Sequence, residues 1–367
     1  MRNAGGTFAS YLSRAGFVTI ILAVIAGCAS TTGQSDVSLS GGTATPTATI
    51  GKALSGGLCV SPDCAARDVR AFVEPDAGVT PITRGVSGAT RSIWVEVYLL
   101  TDRTVIHALE DAASRGVDVR VMLEAHPYGG GDVQAARMLE ELRAAGVHAE
   151  SASPAFTYTH AKIMLIDSAT AYILTCNLTL SGLGGSSSFA DRDYGVIDTN
   201  QRDVAALAAI YQADWNRTDA SLGDPRLVVS PINARAEIGA LIASAKTTLA
   251  IEDEEMYDRA AEDAMIAAAR RGVSVTVLLP SPSAGAAPST DVARLLRGGV
   301  HVRYLGAPYL HAKLILVDHA IAFAGSENFS ATSLDHNREI GIVLSDPAAL
   351  STLTTAYNHD AATASAA

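Results

Sequence analysis

From about residue 69 the chain alternates short apolar runs with longer stretches in which apolar positions recur every three or four residues. The runs at 93–100, 117–123, 248–251 and 273–279 have the length and unbroken apolar character of strands buried on both faces. The stretches at 104–114, 133–145, 262–270 and 291–297 carry the helical period. Two of them stop at Gly116 and Gly272, where a helix takes glycine as its C′ residue. Apolar runs at 163–166 and 314–317 are each followed by a returning run, 171–175 and 321–324, and then by a further short strand at 194–197 and 340–344. Helices alternating with apolar strands predict an α/β fold with a mixed, mainly parallel sheet covered on both faces, to which the returning strands add an antiparallel part.

The whole pattern occurs twice. Pro75, Glu96, Arg115-Gly116 and Val119 recur as Pro231, Glu252, Arg271-Gly272 and Val275, and Gly146-Val147 recurs as Gly299-Val300. The separation between matched residues shrinks along the chain, as it does when loops are trimmed and elements are kept. Internal duplication therefore predicts two similar α/β/α sandwich units, at 66–222 and 223–357, followed by a disordered tail at 358–367.

Each repeat contains His-Ala-Lys, four apolar residues and Asp: His160, Lys162 and Asp167 in the first, His311, Lys313 and Asp318 in the second. On a strand, positions two apart share a face, so each His and Lys point into one site while the Asp stands at the far end. The returning strands deliver Asn177 in the first copy and Gly325-Ser326-Glu327-Asn328 in the second. Two such motifs in one chain resemble the phospholipase D superfamily.

The resemblance implies that the two units are related by a pseudo-twofold, with the active site at their interface. It implies a catalytic set of His160, Lys162, Asp167, His311, Lys313 and Asp318, with Asn177, Ser326 and Asn328 binding phosphate. A carboxylate is expected on the far ring nitrogen of each histidine. Asp193 and Glu339 stand at matched places after the motifs, in Asp191-Arg192-Asp193 and Asn337-Arg338-Glu339. The implied chemistry is attack by one histidine on phosphorus, with the other as general acid. Family precedent makes His160 the nucleophile and His311 the acid. The lysines and asparagines would hold the phosphate charge, with no cofactor and no metal. The first copy departs from the pattern at Leu174-Thr175-Cys176-Asn177, which lacks the glycine.

Composition narrows the substrate. The net charge is −11, whereas a dedicated nucleic-acid binder usually carries a basic face. Lysine occurs at four positions only, Lys52, Lys162, Lys246 and Lys313, so two of the four stand in the motifs. A solvated-surface role explains those two poorly. With the resemblance, this favours a phospholipid as the expected substrate of an enzyme, expected to be a monomer, that hydrolyses or transfers head groups. An extracytoplasmic nuclease and a non-catalytic binding lipoprotein are the alternatives.

The first residues add a compartment. Arg2 and Arg14 precede an apolar stretch at 17–27, too short to span a bilayer as a mature helix. It ends Ile25-Ala26-Gly27-Cys28, which resembles a bacterial lipobox. Residues 1–27 are thus expected to be a lipoprotein signal peptide and Cys28 the lipidated anchor to the membrane; an ordinary signal peptide or an uncleaved anchor is the alternative. Residues 28–65, rich in Ser, Thr and Gly, are expected to form a flexible tether. An extracytoplasmic setting permits a disulfide between Cys59 and Cys64, with free thiols as the alternative. Cys176 is expected to be a small buried residue. The acidic run Glu252-Asp253-Glu254-Glu255 is expected to be a solvated strand end rather than a metal site, and the remaining histidines to be surface or structural. The aromatics before each motif, Phe156, Tyr158, Tyr304 and Tyr309, either line an acyl-chain entrance or pack in the core.

Overall fold

The computed structural model describes residues 57–185, 189–284 and 287–367. The leader 1–27, Cys28 and most of the tether lie outside the described residues. No helix among the described residues is long and apolar enough to cross a membrane.

The first repeat runs β1 (Val69–Glu74), α1 (Thr80–Gly88), β2 (Ser92–Val97), α2 (Arg103–Ser114), β3 (Asp118–Leu123), α3 (Asp132–Ala144), β4 (His148–Ser151), β5 (Lys162–Ile166), β6 (Thr170–Leu174), β7 (Asp191–Asp198) and α4 (Gln201–Trp215). The second repeats that order: β8 (Leu227–Ser230), α5 (Ala234–Ser244), β9 (Thr248–Asp253), α6 (Arg259–Arg270), β10 (Ser274–Pro280), α7 (Ser289–Arg297) and β11 (His301–Leu305). After a short insertion, β12 (Tyr309–Leu310), come β13 (Lys313–Val317), β14 (Ile321–Gly325), α8 (Ala331–Asp335), β15 (Glu339–Leu344), α9 (Pro347–Thr363) and β16 (Ser365–Ala366). The helix ends follow local chemistry: Asp102 and Asp258 cap α2 and α6 through their carboxylates, and Gly116 and Gly272 follow those helices with φ of 88° and 94°.

Each repeat builds one sheet. The first has the order β1-β7-β6-β5-β2-β3-β4, with β12 added on β7; the second runs β16-β11-β10-β9-β13-β14-β15-β8. Only β2-β3-β4, β9-β10-β11 and the β12–β7 contact are parallel. The expectation of a mainly parallel sheet is corrected: the sheets are mixed, and antiparallel pairings outnumber parallel ones. The motif hairpins and the strands beside them, β1, β7, β8 and β15, all add in antiparallel fashion.

Alternation on the motif strands separates three layers of core. Ile163 and Leu165 of β5, like Leu314 and Leu316 of β13, face a central core shared with α4 and α9. Met164 and Ile166 face α1, α2 and α3, and Ile315 and Val317 face α5 and α6. Both faces are buried, so the strands read as continuous apolar runs. The sheets meet where β6 packs against β14 and β15.

Two expected borders move. Residues 358–363 form the last turns of α9, and β16 pairs with β11, so the tail expected to be disordered is ordered. Its alanine-rich sequence hid Asp360, which is buried, as is Tyr357 just ahead of it. At the other end, Cys59 and Cys64 are joined by a disulfide, and Cys59 and Ala65 are buried in the second repeat's outer core, so the last residues of the expected tether belong to the fold.

Candidate active site

Each motif delivers its histidine to the place where the repeats meet, and each is completed by the other repeat. Glu339, opening β15, places Oε2 2.9 Å from Nδ1 of His160. Asp193 of β7 places its two oxygens 3.0 and 3.1 Å from Nδ1 of His311. Backbone bonds cross in the same sense: the N–H groups of His160 and Ala161 donate to Arg338 O, and that of His311 to Arg192 O. With Nδ1 held by a carboxylate, each ring turns Nε2 toward the shared site.

The acids are themselves held. Glu339 Oε1 accepts from Ser333 Oγ at 2.7 Å and Asn337 Nδ2 at 2.9 Å, and Asp193 Oδ1 accepts from Thr175 Oγ1 at 2.5 Å. Thr175, standing where the family has serine, thus serves the acid rather than the phosphate. Behind each acid lies a buried arginine. Arg338 donates to Asp214 Oδ1 at 3.0 Å and to Ser230 O at 2.7 Å. Arg192 donates to Asp360 at 2.5 and 3.0 Å and to Glu74 O at 2.6 Å. Both ion pairs cross between the repeats. These arginines escaped sequence reasoning, although their matched positions beside Asp193 and Glu339 were the available signal.

Lys162 and Lys313 are fully buried. Each Nζ donates to the carbonyl of its own motif histidine, at 2.7 Å for Lys162 and 2.5 Å for Lys313. Burial brings the Lys162 ammonium down to about 7, against the pull of Glu339. Burial also acts against the charge on Lys313, but Glu254 and Asp193 hold it above the ordinary lysine value. Burial likewise pushes the His160 imidazole down to about 4, although Glu339 supports its charge. The side-chain oxygens of Asn177 and Asn328 are buried without a hydrogen-bond partner among the described residues.

Three expected site residues are placed elsewhere. Asp167 lies at the far end of β5 and accepts from the backbone N–H groups of Thr90, Arg91 and Ser92. Asp318 does the same for Lys246, Thr247 and Thr248. A five-residue strand puts them about 16 Å from the lysines, so they fasten strand ends and are not catalytic. Ser326 accepts from Ile340 N at 3.0 Å and is fully buried in the sheet, not turned to a phosphate.

The acidic run is not solvated. Glu252 and Asp253 are buried, with Glu252 accepting from the Tyr194 hydroxyl at 2.6 Å. Glu254 enters the site: its Oε2 stands 2.8 Å from Lys313 Nζ and 3.5 Å from His311 Nε2. Of the aromatics, Tyr309 donates to Glu254 and Tyr158 packs on Tyr98, whose ring lies edge-on to His160. Phe156 lies under Arg338, and Tyr304 packs against the second repeat's outer core. Cys176 is buried, and burial raises its thiol well above the usual value. The other seven histidines are exposed. Among the described residues no group of three or more His, Cys, Asp or Glu is arranged to hold a metal.

The family described as cardiolipin synthase, PLD-like domain, matches residues 82–215 and 238–361, one match in each repeat. Among curated proteins, the chain is 24% identical to cardiolipin synthase 2 of Staphylococcus epidermidis, over 79% of this chain and 69% of the relative. It is 26% identical to cardiolipin synthase A of Pseudomonas aeruginosa, over 78% of this chain and 65% of that one. The chain thus spans about two thirds of the length of these relatives. Among solved structures, phosphatidylserine synthase of Haemophilus influenzae superposes with a TM-score of 0.64 at 12% identity, over 84% of this chain and 88% of that one. Polyphosphate kinase of Porphyromonas gingivalis gives 0.64 at 17% identity, over 86% and 52%. At such identities the structures speak for the fold alone.

Proposed function

Since the chain belongs to the phospholipase D superfamily, through the cardiolipin synthase PLD-like domain matched in both repeats, we propose that it is a phosphatidyltransferase-type enzyme that exchanges the head-group alcohol of a phospholipid through a phosphohistidine. The cardiolipin synthase relatives favour a phospholipid as donor. The observation that carries the chemistry is the unequal setting of the two Nε2 atoms. His160, pushed down to about 4 by burial, is neutral at neutral pH, with the lone pair on Nε2 while Nδ1–H is held by Glu339. His311 Nε2 instead stands 3.5 Å from the Glu254 carboxylate, on the side from which the leaving oxygen would be met.

His160 Nε2 therefore attacks phosphorus. The bond from phosphorus to the head-group oxygen breaks, and that oxygen takes the proton from His311 Nε2. In the second half an alcohol or water gives its proton to His311, and its oxygen attacks phosphorus. The P–N bond breaks, returning the electron pair to His160. Lys162, Lys313 and the amides of Asn177 and Asn328 hold the non-bridging oxygens through both steps.

The test is to incubate purified protein with vesicles of phosphatidylglycerol, vesicles of phosphatidylcholine and plasmid DNA in parallel, with and without EDTA. Lipid turnover indifferent to EDTA is expected. Nicked DNA with untouched lipid would overturn the substrate class. Activity lost with EDTA and restored by a divalent metal would overturn the phosphohistidine scheme.

A further inference from the structure

Around the site the two repeats differ where β2 and β9 end beside the motif lysines. Val97 faces Lys162 across β2 and β5, and Asp253 faces Lys313 across β9 and β13. The next residue is Tyr98 in the first repeat and Glu254 in the second. The Tyr98 ring stands 4.7 Å from the His160 ring and 5.5 Å from Lys162 Nζ. On its other side it walls a cavity of about 620 Å³ together with Leu99, Leu100, Leu123 and Met138. The Glu254 carboxylate instead pairs with Lys313, faces His311 Nε2 and accepts from the Tyr309 hydroxyl at 3.2 Å. Its side chain is 21% exposed, so it can be reached by a molecule in the site.

A carboxylate in a phosphate site is at odds with the phosphate, because it repels the anion and neutralises a lysine that should hold it. Its place on the His311 side supplies a different partner. In an in-line displacement with His160 as nucleophile, the departing alcohol lies opposite, next to His311, and the arriving alcohol enters at the same spot. An alcohol with a second hydroxyl or an ammonium group has a donor left for Glu254 after its reacting oxygen has engaged His311. Water and simple monohydric alcohols do not.

We infer that Glu254 is a specificity-determining residue that reads the alcohol on the His311 side, selecting polyol or amino-alcohol groups over water and monohydric alcohols. The inference rests on the proposed assignment of His160 as nucleophile and His311 as acid. During transfer the polyol's reacting hydroxyl gives its proton to His311 and its oxygen bonds to phosphorus as the P–N bond to His160 breaks. A neighbouring hydroxyl donates to Glu254 throughout and is not consumed.

The test offers the whole protein an equimolar mixture of deuterium-labelled glycerol and propan-1-ol, which have the same carbon count, and reads the ratio of labelled glyceryl to propyl diester products by mass spectrometry, the label separating new phosphatidylglycerol from the donor. One arm uses phosphatidylglycerol vesicles as donor and the other bis(4-nitrophenyl) phosphate. The wild type should favour glycerol by about tenfold or more, and Glu254→Gln should bring the ratio to within a few-fold of one. The ratio is internal to each reaction, so it does not depend on how much of the variant folds. A wild-type ratio near one, or a ratio unchanged in Glu254→Gln, overturns the inference. Product from the nitrophenyl donor with the expected ratio, alongside inert vesicles, would sink the phospholipid assignment and leave Glu254 standing. Lipid turnover with a flat ratio would sink Glu254 alone, and no diester product in either arm would overturn both.

Discussion

Glu339 stands 2.9 Å from Nδ1 of His160 although 179 residues separate them and they belong to different repeats. Asp193 and His311 make the reciprocal pair. Neither repeat therefore contains both a motif histidine and the carboxylate that holds it. Glu339→Gln keeps the shape but removes the carboxylate that fixes the Nδ1–H tautomer and supports positive charge on the ring. Turnover should fall by roughly a thousandfold or more, with little change in melting temperature. Retention of more than a tenth of wild-type turnover would exclude an orienting role.

The two histidines should fail in different ways. On bis(4-nitrophenyl) phosphate, whose leaving group needs no proton, His311→Ala should still form appreciable covalent intermediate, trapped by rapid acid-free quench. His160→Ala should form none. The reverse pattern would exchange the two roles.

The acid–base balance of the free enzyme sets a pH profile. In the proposed scheme His160 must be neutral to attack, so kcat/KM should rise as pH climbs through about 4. Lys162 holds phosphate only when charged, so kcat/KM should decline as pH climbs through about 7. Lys162→Arg keeps its charge at every accessible pH and should remove that alkaline limb. A limb near 7 that persists in the variant would belong to another group.

Asp167 and Asp318 give the opposite expectation to the histidines. Burial raises the Asp167 carboxyl, but its backbone hydrogen bonds outweigh this and bring it to about 2; Asp318 behaves alike. A folded-state value below the unfolded one contributes stability above about pH 4, and that stability is lost as pH falls toward 2. Asp167→Ala should lower stability by about 1–3 kcal/mol in urea melts at neutral pH, while turnover per folded molecule changes by no more than a few-fold. Abolished turnover in a folded Asp167→Ala protein would return that residue to the catalytic set.

The last expectation concerns the apolar segment ending at Cys28. Cys28→Ala should move the protein from the membrane fraction to the soluble extracytoplasmic fraction. A variant still in washed membranes would point to a retained helix or to lipid binding by the folded part.

Much of this site was legible in the sequence because its chemistry recurs at short spacing. His-x-Lys, the following Asn and the matched acids lie on local elements whose periodicity can be counted. The partnership between them was not legible. A carboxylate placed after a motif carries the same local signature whether it serves its own repeat or the other, and only the packing of β6 against β14 and β15 decides. Glu254 was misread for a related reason: four consecutive acids look solvated, while the strand order folds two of them into the core and one into the site. Helices between strands promise parallel neighbours, but each motif hairpin adds antiparallel pairings on both of its sides, so the sheets come out mixed. The last turns of α9 were missed because a few buried side chains, Tyr357 and Asp360 among them, hold a segment made otherwise of small residues.

Asp360 lies near the end of α9 and holds Arg192, whose neighbour Asp193 orients His311. The order of synthesis therefore matters. Both motifs are complete in the chain before the last helix is made, but until then Arg192 keeps only its bond to Glu74 O and lacks its carboxylate partner. The support behind the second acid is therefore finished by residue 360, more than forty positions after the second motif and outside both motifs.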